Sequence, residues 1–231
     1  MYIPKINKLE EQETIYRFME ENPFAIIVSE LNGEIIATHM PVELEENDKG
    51  ERVLRSHMAK QNPQWNNFEK LDQLLVIFNG PHTYISSSWY DHVNVPTWNY
   101  IAVHVYGKPR ILNEEETIGV LTRLVNRYEN ASQKPFKMEH LSDDYLQSHL
   151  KALVAFEISL DRIDAKHKLS QNRNEHNYDL VINELEKRDD AQSDAVKREM
   201  ERIKGDLFEK LFFFLNFKIG FFSQLFNLGF L

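Results

Sequence analysis

Apolar and polar residues alternate over much of the first half of the chain, and recognisable turn signals interrupt the alternation. Two short β-branched runs, 24–29 and 34–39, flank Asn32-Gly33. Asn-Gly suits a two-residue type I′ turn, whose central residues both need positive φ, so this segment predicts a β-hairpin. The turn Asn47-Asp48-Lys49-Gly50 precedes an expected strand at 52–57. Leu74 to Phe78 is an unbroken apolar run closed by Gly80-Pro81, which marks a strand covered on both faces. A short strand is expected at 83–85 and a longer one at 98–106, where Ile101, Val103 and Val105 alternate with Ala102 and His104. Residues 108–112 carry that strand on past a bulge at Gly107, and 152–160 returns to strand.

Helical spacing takes over elsewhere. Residues 2–8 read as extended, and Leu9, Ile15, Phe18 and Met19 then outline a helix over 9–21 that Asn22-Pro23 closes. Asn62-Pro63 supplies an N-cap and a first-turn proline for a short helix reaching Leu71. Further helices are expected at 117–128, from the cap Ser142 towards Leu150, and at 175–186 and 190–204, the last two rich in charge. Strands come first, helices dominate after residue 113, and no βαβ alternation occurs. This order predicts a mainly β, α+β fold built on an antiparallel barrel or sandwich, with peripheral and C-terminal helices.

Composition narrows the function. The chain has 231 residues, no cysteine and a net charge of −9. One domain of ordinary size is expected, without disulfide, thiolate metal site or cysteine nucleophile, in keeping with a reducing cytoplasm. Residues 1–12 lack an apolar core and cleavage site, so no secretory leader is expected. The acidic balance does not imply a broad nucleic-acid face, and no helix-turn-helix, zinc finger or basic recognition helix is visible. The histidines lack metal-ligand spacing, and Ser86 to Ser88 lie in no nucleophile elbow. Residues 205–231 hold nine of the fifteen phenylalanines, yet Lys218 and Gly220 interrupt any run approaching the roughly 20 apolar residues of a membrane span. This tail reads as foreign to the domain or as a membrane-surface or partner-binding amphipathic helix, and it is assigned no function.

Three stretches concentrate chemistry. Residues 79–107 contain two of three tryptophans, four of nine tyrosines and the histidines 82, 92 and 104. Aromatic faces beside hydroxyls, imidazoles and the amide of Asn99 suit a flat, polar-edged ligand; the alternative is a pair of aromatic-rich strands. Residues 55–65 join a strand end to a helix start, and Arg55, Ser56, His57, Lys60 and Asn62 read as a phosphate seat or as an ordinary capped helix. Residues 166–173 gather Lys168, Ser170, Gln171, Asn172 and Arg173, donors for a phosphate or a heterocycle's carbonyl edge, or simply a loop capping the next helix.

Taken together and in order, these stretches resemble the PaiB family, bacterial FMN-binding negative regulators. The resemblance rests on Met1-Tyr-Ile-Pro4, Ala37-Thr-His-Met-Pro41, His57-Met-Ala-Lys-Gln-Asn-Pro-Gln-Trp65 and Gly80-Pro-His-Thr-Tyr-Ile-Ser-Ser-Ser-Trp-Tyr90. It continues through Val95-Pro-Thr-Trp-Asn-Tyr100, His104, Gly107 and Lys168-Leu-Ser-Gln-Asn-Arg173, covering roughly residues 1–204. It implies a split β-barrel over 1–165, a closing loop and charged helices over 166–204, and a homodimer with FMN between the subunits. By position, Ser56, His57, Lys60 and Asn62 would meet the phosphate end. Tyr84, Ser86, Ser88, Trp89, Trp98 and Asn99 would wall the isoalloxazine, and Lys168, Ser170, Gln171 and Asn172 would close the site. The implied function is cytoplasmic repression of protease synthesis and sporulation, acting on DNA or through a regulatory partner protein. The alternative is a flavin-dependent oxidoreductase or haem-handling enzyme of the same fold group, with Tyr84, His82 or His104 available as acid or base.

Overall fold

The computed structural model describes residues 1–208, and among these the alternating segments form nine strands in two sheets. The strands are β1 (Phe24–Leu31), β2 (Glu34–Pro41), β3 (Glu43–Glu46), β4 (Arg52–Ala59), β5 (Leu74–Ile85), β6 (Thr97–Gly107), β7 (Pro109–Ile111), β8 (Leu153–Ser159) and β9 (Arg162–Lys168). One sheet has the order β2-β1-β5-β6-β9, the other β3-β4-β8-β7. The pairs β1/β2, β1/β5, β3/β4, β4/β8 and β7/β8 are antiparallel. The helices are α1 (Gln12–Glu21), α2 (Glu114–Glu129), α3 (Asp143–Leu150), α4 (Glu175–Glu186) and α5, helical over 191–208. The chain divides into two compact units. The first comprises Met1–Ile3, Leu9–Gly80 and Ala102–Ala165; the second comprises Pro4–Lys8, Pro81–Ile101 and the chain from Lys166 onward. None of the described helices is long and apolar enough to cross a membrane. The phenylalanine-rich tail lies, beyond residue 208, outside the described residues.

In the first unit the β1/β2 hairpin turns where expected, with Asn32 at φ 54° and Gly33 at φ 85°. Alternation along β1 buries Ala25, Ile27 and Ser29 on one face. The second sheet centres on β4 and β8, where Leu54 opposes Ile158 and Ser56 opposes Phe156. Phe68 packs edge-on against Phe156 at 5.1 Å, and both rings are fully buried. Phe68 comes from the segment Pro63–Lys70, which coils as a 3-10 helix under the Asn62 cap. Its Gln64, also fully buried, explains how that segment is held. The amide oxygen accepts from Thr38 Oγ1 at 2.6 Å, while the nitrogen donates to Ile27 O at 3.0 Å and Ser29 Oγ at 3.1 Å.

The chain changes sheets at Gly107. There β6, in the five-stranded sheet, passes into β7 in the four-stranded one, while β8 and β9 make the reverse passage. The expected continuation of one strand past a bulge is therefore two strands in different sheets. A Cβ built at Gly107 falls 1.6 Å from the carbonyl oxygen of Ser159, so only glycine lets the backbones meet. Lys108 N–H donates to Ser159 Oγ at 2.9 Å, Ser159 N–H to Lys108 O at 3.2 Å and Asp161 N–H to Tyr106 O at 3.0 Å.

Three differences from the periodicity have physical causes. β3 and β9 carry few apolar residues and were not expected as strands; neighbouring backbones impose them. The runs at 74–78 and 83–85 merge into one strand through Gly80-Pro81. Within β5, β1 pairs with Leu75–Ile77, so the missing N–H of Pro81 removes no bond to β1. Finally, α1 begins at Gln12, because the Glu11 carboxylate caps Thr14 N–H at 2.7 Å, and Lys5–Asn7 forms a 3-10 turn in the segment expected to be extended.

The second unit packs α4 and α5 through Tyr178, Val181, Leu185, Val196 and Met200, all fully buried. The Tyr178 hydroxyl donates to Met200 O at 3.0 Å, and burial pushes its pKa well above the usual tyrosine value. Thr83 on β5 meets Ser193 on α5, hydroxyl to hydroxyl, at 3.0 Å.

Candidate functional site

Strand alternation decides which site residues of the second unit face outward. At the end of β5, Thr83 and Ile85 turn inward while His82 and Tyr84 are exposed. At the start of β6, Asn99 turns inward while Trp98 is 47% exposed. The outward rings cluster: His82 stacks on Trp98 at 5.9 Å with 28° between planes, and Tyr84 meets Trp98 edge-on at 6.1 Å. The cluster leaves aromatic surface of Tyr84 and Trp98 exposed beside polar ring edges.

The 166–173 turn supplies the cations. Lys168 Nζ donates to Trp98 O at 2.6 Å and to Thr97 Oγ1. Burial, then the charges of Lys166 and Arg173, holds the Lys168 ammonium below the usual lysine value. Lys166 Nζ lies 5.1 Å from the centroid of Tyr100. Ser170 occupies the left-handed region at φ 63°, uncommon for a residue with a side chain, and its hydroxyl pairs with the Asn99 amide at 3.0 Å. Asn99 is fully buried and Ser170 nearly so; they fix the turn against β6 from within. The Gln171 oxygen accepts from Leu169 N–H at 2.7 Å and its nitrogen donates to His167 O, which spends both ends of its amide on the loop. Asn172 is exposed. Ser86 caps the 3-10 turn Ser87–Trp89 through Ser88 N–H at 3.2 Å, and its hydroxyl touches Ser88 Oγ at 2.9 Å. Trp89 lies beneath Arg188, whose guanidinium carbon is 4.5 Å from the ring centroid. The second unit thus brings Tyr84, Trp98 and Lys168 together on an open face and gathers Asn99 and Ser170 behind it.

In the first unit the residues expected at a phosphate are differently engaged. Ser56 is buried and donates to Pro41 O at 2.6 Å. Asn62 accepts from Gln64 N–H at 3.0 Å and donates to Thr38 Oγ1 at 3.0 Å, serving the helix cap. His57 is partly buried, and the loss of water lowers its pKa, so it is neutral at pH 7. Lys60 is exposed and lines a cavity of about 280 Å³ with Glu114, Thr117 and Lys151. Arg55, read from the sequence as a further cation for an anion, is neutralised. It donates to Glu45 at 3.0 Å and Glu157 at 3.1 Å, inside a chain of ion pairs that continues from Glu157 to Arg110 and Glu116 and from Glu45 to Arg123. Of the first-unit set, His57 and Lys60 keep side-chain capacity for a ligand. His104 lies in β6 with Nδ1 lacking a hydrogen-bond partner among the described residues, and burial lowers its pKa.

Arg188 was not legible as a site residue. It stands just beyond the end of α4, donates to Tyr84 O at 2.9 Å and Thr83 Oγ1 at 3.1 Å, and so fixes the backbone behind the exposed rings. Nothing in the local sequence announces a contact across a separation of 104 residues.

Solved structures share the fold. The flavocytochrome Anf3 from Azotobacter vinelandii superposes with a TM-score of 0.56 at 13% identity, covering 77% of this chain and 78% of that one. The FAD and heme binding protein from Mycobacterium smegmatis superposes with a TM-score of 0.52 at 14% identity, over 70% and 73% of the two chains. The architecture they share is a split β-barrel with peripheral helices. At the level of sequence, residues 1–162 match the family model described as "Putative FMN-binding domain". The chain is also 43% identical, over 87% of its length and 97% of the relative's, to Protease synthase and sporulation protein PAI 2 of Bacillus subtilis (strain 168). The chain belongs to the PaiB family, and FMN is its cofactor.

The residues present fit that cofactor. FMN offers a flat ring with acceptor atoms along its edge, and the second unit offers the open Tyr84 and Trp98 faces with the ammonium of Lys168 beside them.

Proposed function

We propose that the protein is a homodimeric, FMN-dependent negative regulator of protease synthesis and sporulation. The observation that carries the flavin assignment is the half-exposed Trp98 with Tyr84 edge-on to it and Lys168 anchored on its backbone carbonyl. On this reading Tyr84 and Trp98 hold the isoalloxazine, and Lys168 donates to its acceptor edge. Asn99, Ser170 and Gln171 act behind them as positioning residues, because their polar groups are engaged internally. Ser86, Ser88, Trp89 and Asn172, which belong to the same unit, are assigned to the surroundings of the ring. Bound FMN would supply hydride or single-electron transfer, chemistry that the protein's own side chains cannot provide.

The regulatory half of the proposal draws on the B. subtilis relative's name and on the chain's charge. A net charge of −9 disfavours nonspecific phosphate attraction. Regulation is therefore assigned to a partner protein or to a flavin-sensed signal rather than to direct DNA binding. FMN titrated into the full chain, followed by flavin fluorescence and by mass in solution, tests the core of the reading. Saturable quenching at a dimer mass is the expected result; unquenched flavin overturns it. A shift of protease promoter DNA by the purified protein at low salt would overturn the indirect route.

A further inference from the structure

Among the buried polar atoms of the second unit that have no hydrogen-bond partner among the described residues are the Tyr90 hydroxyl, Asn94 Nδ2 and Arg173 Nε. They belong to one cluster. The Arg173 guanidinium carbon lies 4.7 Å from the centroid of the Tyr90 ring, and an Nη of Arg173 donates to Asn94 Oδ1 at 3.5 Å. Val95 N–H donates to the same Oδ1 at 2.9 Å, which settles the orientation of the amide and leaves its nitrogen as the unused end. Tyr90 is only 8% exposed, so its unpaired hydroxyl is set in an interior position.

An unpaired buried donor is costly, and folded proteins leave few of them. Here a guanidinium N–H, an amide N–H and a phenol O–H lie within one cluster. The one acceptor among these side chains besides the phenol, Asn94 Oδ1, already serves two donors. Arg173 has no carboxylate ion pair among the described residues, and its charge is felt at Lys168, whose ammonium it helps destabilise. Donors in excess, with an uncompensated guanidinium, complement a group made of acceptors with negative charge.

We propose that Tyr90, Asn94 and Arg173 form an oxyanion seat that takes a phosphate or carboxylate group. The seat joins two segments already stitched together nearby. Asp91 N–H donates to Asn177 Oδ1 at 3.2 Å, Asn177 Nδ2 donates to the Asp91 carboxylate at 2.9 Å, and Asn174 caps α4. An anion bridging Asn94 and Arg173 completes the link between the 90–95 loop and the turn that leads into α4. The acceptor group has two possible sources, the phosphate of FMN or a separate small phosphate or carboxylate.

The test is calorimetric titration of inorganic phosphate, and separately of acetate, into the full chain at constant ionic strength with chloride as the control anion. Saturable binding of phosphate or acetate is expected, with Arg173→Gln weakening it at least tenfold and Asn94→Ala and Tyr90→Phe severalfold each. Tyr90→Phe keeps the ring, and in anion-free buffer it should melt no lower than the parent, which guards against a folding defect. No saturable binding beyond chloride, or parent-like binding by all three variants, overturns the proposal. The same titration on FMN-saturated protein separates the sources. Undiminished binding places a second ligand in the seat, whereas competition by FMN but not by riboflavin places the flavin's own phosphate there. Flavin quenching is read independently, so the seat and the flavin face fail separately.

Discussion

Replacing Gly107 by Ala should be among the most damaging single-methyl changes available in this chain. The added Cβ would lie 1.6 Å from Ser159 O, and ordinary contact begins near 3.4 Å, so the two backbones must part by roughly 1.8 Å. That displacement is incompatible with the three hydrogen bonds that close the corner, Lys108 to Ser159 in both directions and Asp161 to Tyr106. At about 1 kcal/mol net for each bond, their loss costs about 3 kcal/mol. Residual strain of about 1–3 kcal/mol adds to it. A total of about 4–6 kcal/mol is a large part of the stability of an ordinary domain. For a chain of this size each kcal/mol moves Tm by about 2–4 °C, so a fall of about 8–24 °C is expected. Gly33→Ala is the control, because it sits at φ 85° with nothing within 4 Å of its added Cβ. Its cost is only the left-handed backbone penalty, about 1–2 kcal/mol. Urea unfolding of both variants at equal m-value decides the matter. If Gly107→Ala loses no more stability than Gly33→Ala, close backbone approach is not what fixes residue 107.

The ion-pair chain gives a second expectation. Glu157→Gln leaves Arg55, 8% exposed, with Glu45 as its remaining carboxylate and should cost about 2–3 kcal/mol in denaturant unfolding. Arg110→Gln removes a half-exposed partner and should cost about 1 kcal/mol or less. At the flavin face, Trp98→Ala should weaken FMN affinity about tenfold, or about 1.4 kcal/mol, in a fluorescence titration; an unchanged affinity would remove Trp98 from the site. For pH, burial lowers His57 and His104 below their ordinary value of 6.5, so the unfolded chain takes up protons first as pH falls. Their contribution is complete above pH 6.5 and is lost as pH falls towards the folded pKa values. His57→Gln should therefore flatten the decline of Tm between pH 6.5 and 5, and a parallel decline would show that His57 stays solvated.

Local signals carried much of the fold. The Asn32-Gly33 turn, the Asn62-Pro63 start and the helix at 175–186 all stand where spacing and capping chemistry put them, because each depends on neighbours within a few residues. β3 and β9 were invisible because both are poor in apolar residues and take strand form from a partner's ladder, β3 from its hairpin neighbour β4 and β9 from the distant β6. The aromatic wealth of 79–107 was plain, but alternation on real strands was needed to separate Trp98 and Tyr84, which face outward, from Asn99, which does not. The segment 55–65 shows the opposite limit. Its residue types suit an anion, yet Arg55 is spent on Glu45 and Glu157, Ser56 on Pro41 and Asn62 on the cap.

By itself the sequence determined the turns, the caps, the strand-then-helix order and, through its ordered motifs, the PaiB family and its cofactor. Tertiary structure alone decided which polar side chains are engaged and which are left over. Gly107 had to be glycine because a backbone 52 residues away comes within contact. Arg188 reached Tyr84, and Tyr90, Asn94 and Arg173 were left as unpaired donors, for the same reason. A hydrogen bond depends on where the chain returns to, and composition holds no record of that distance.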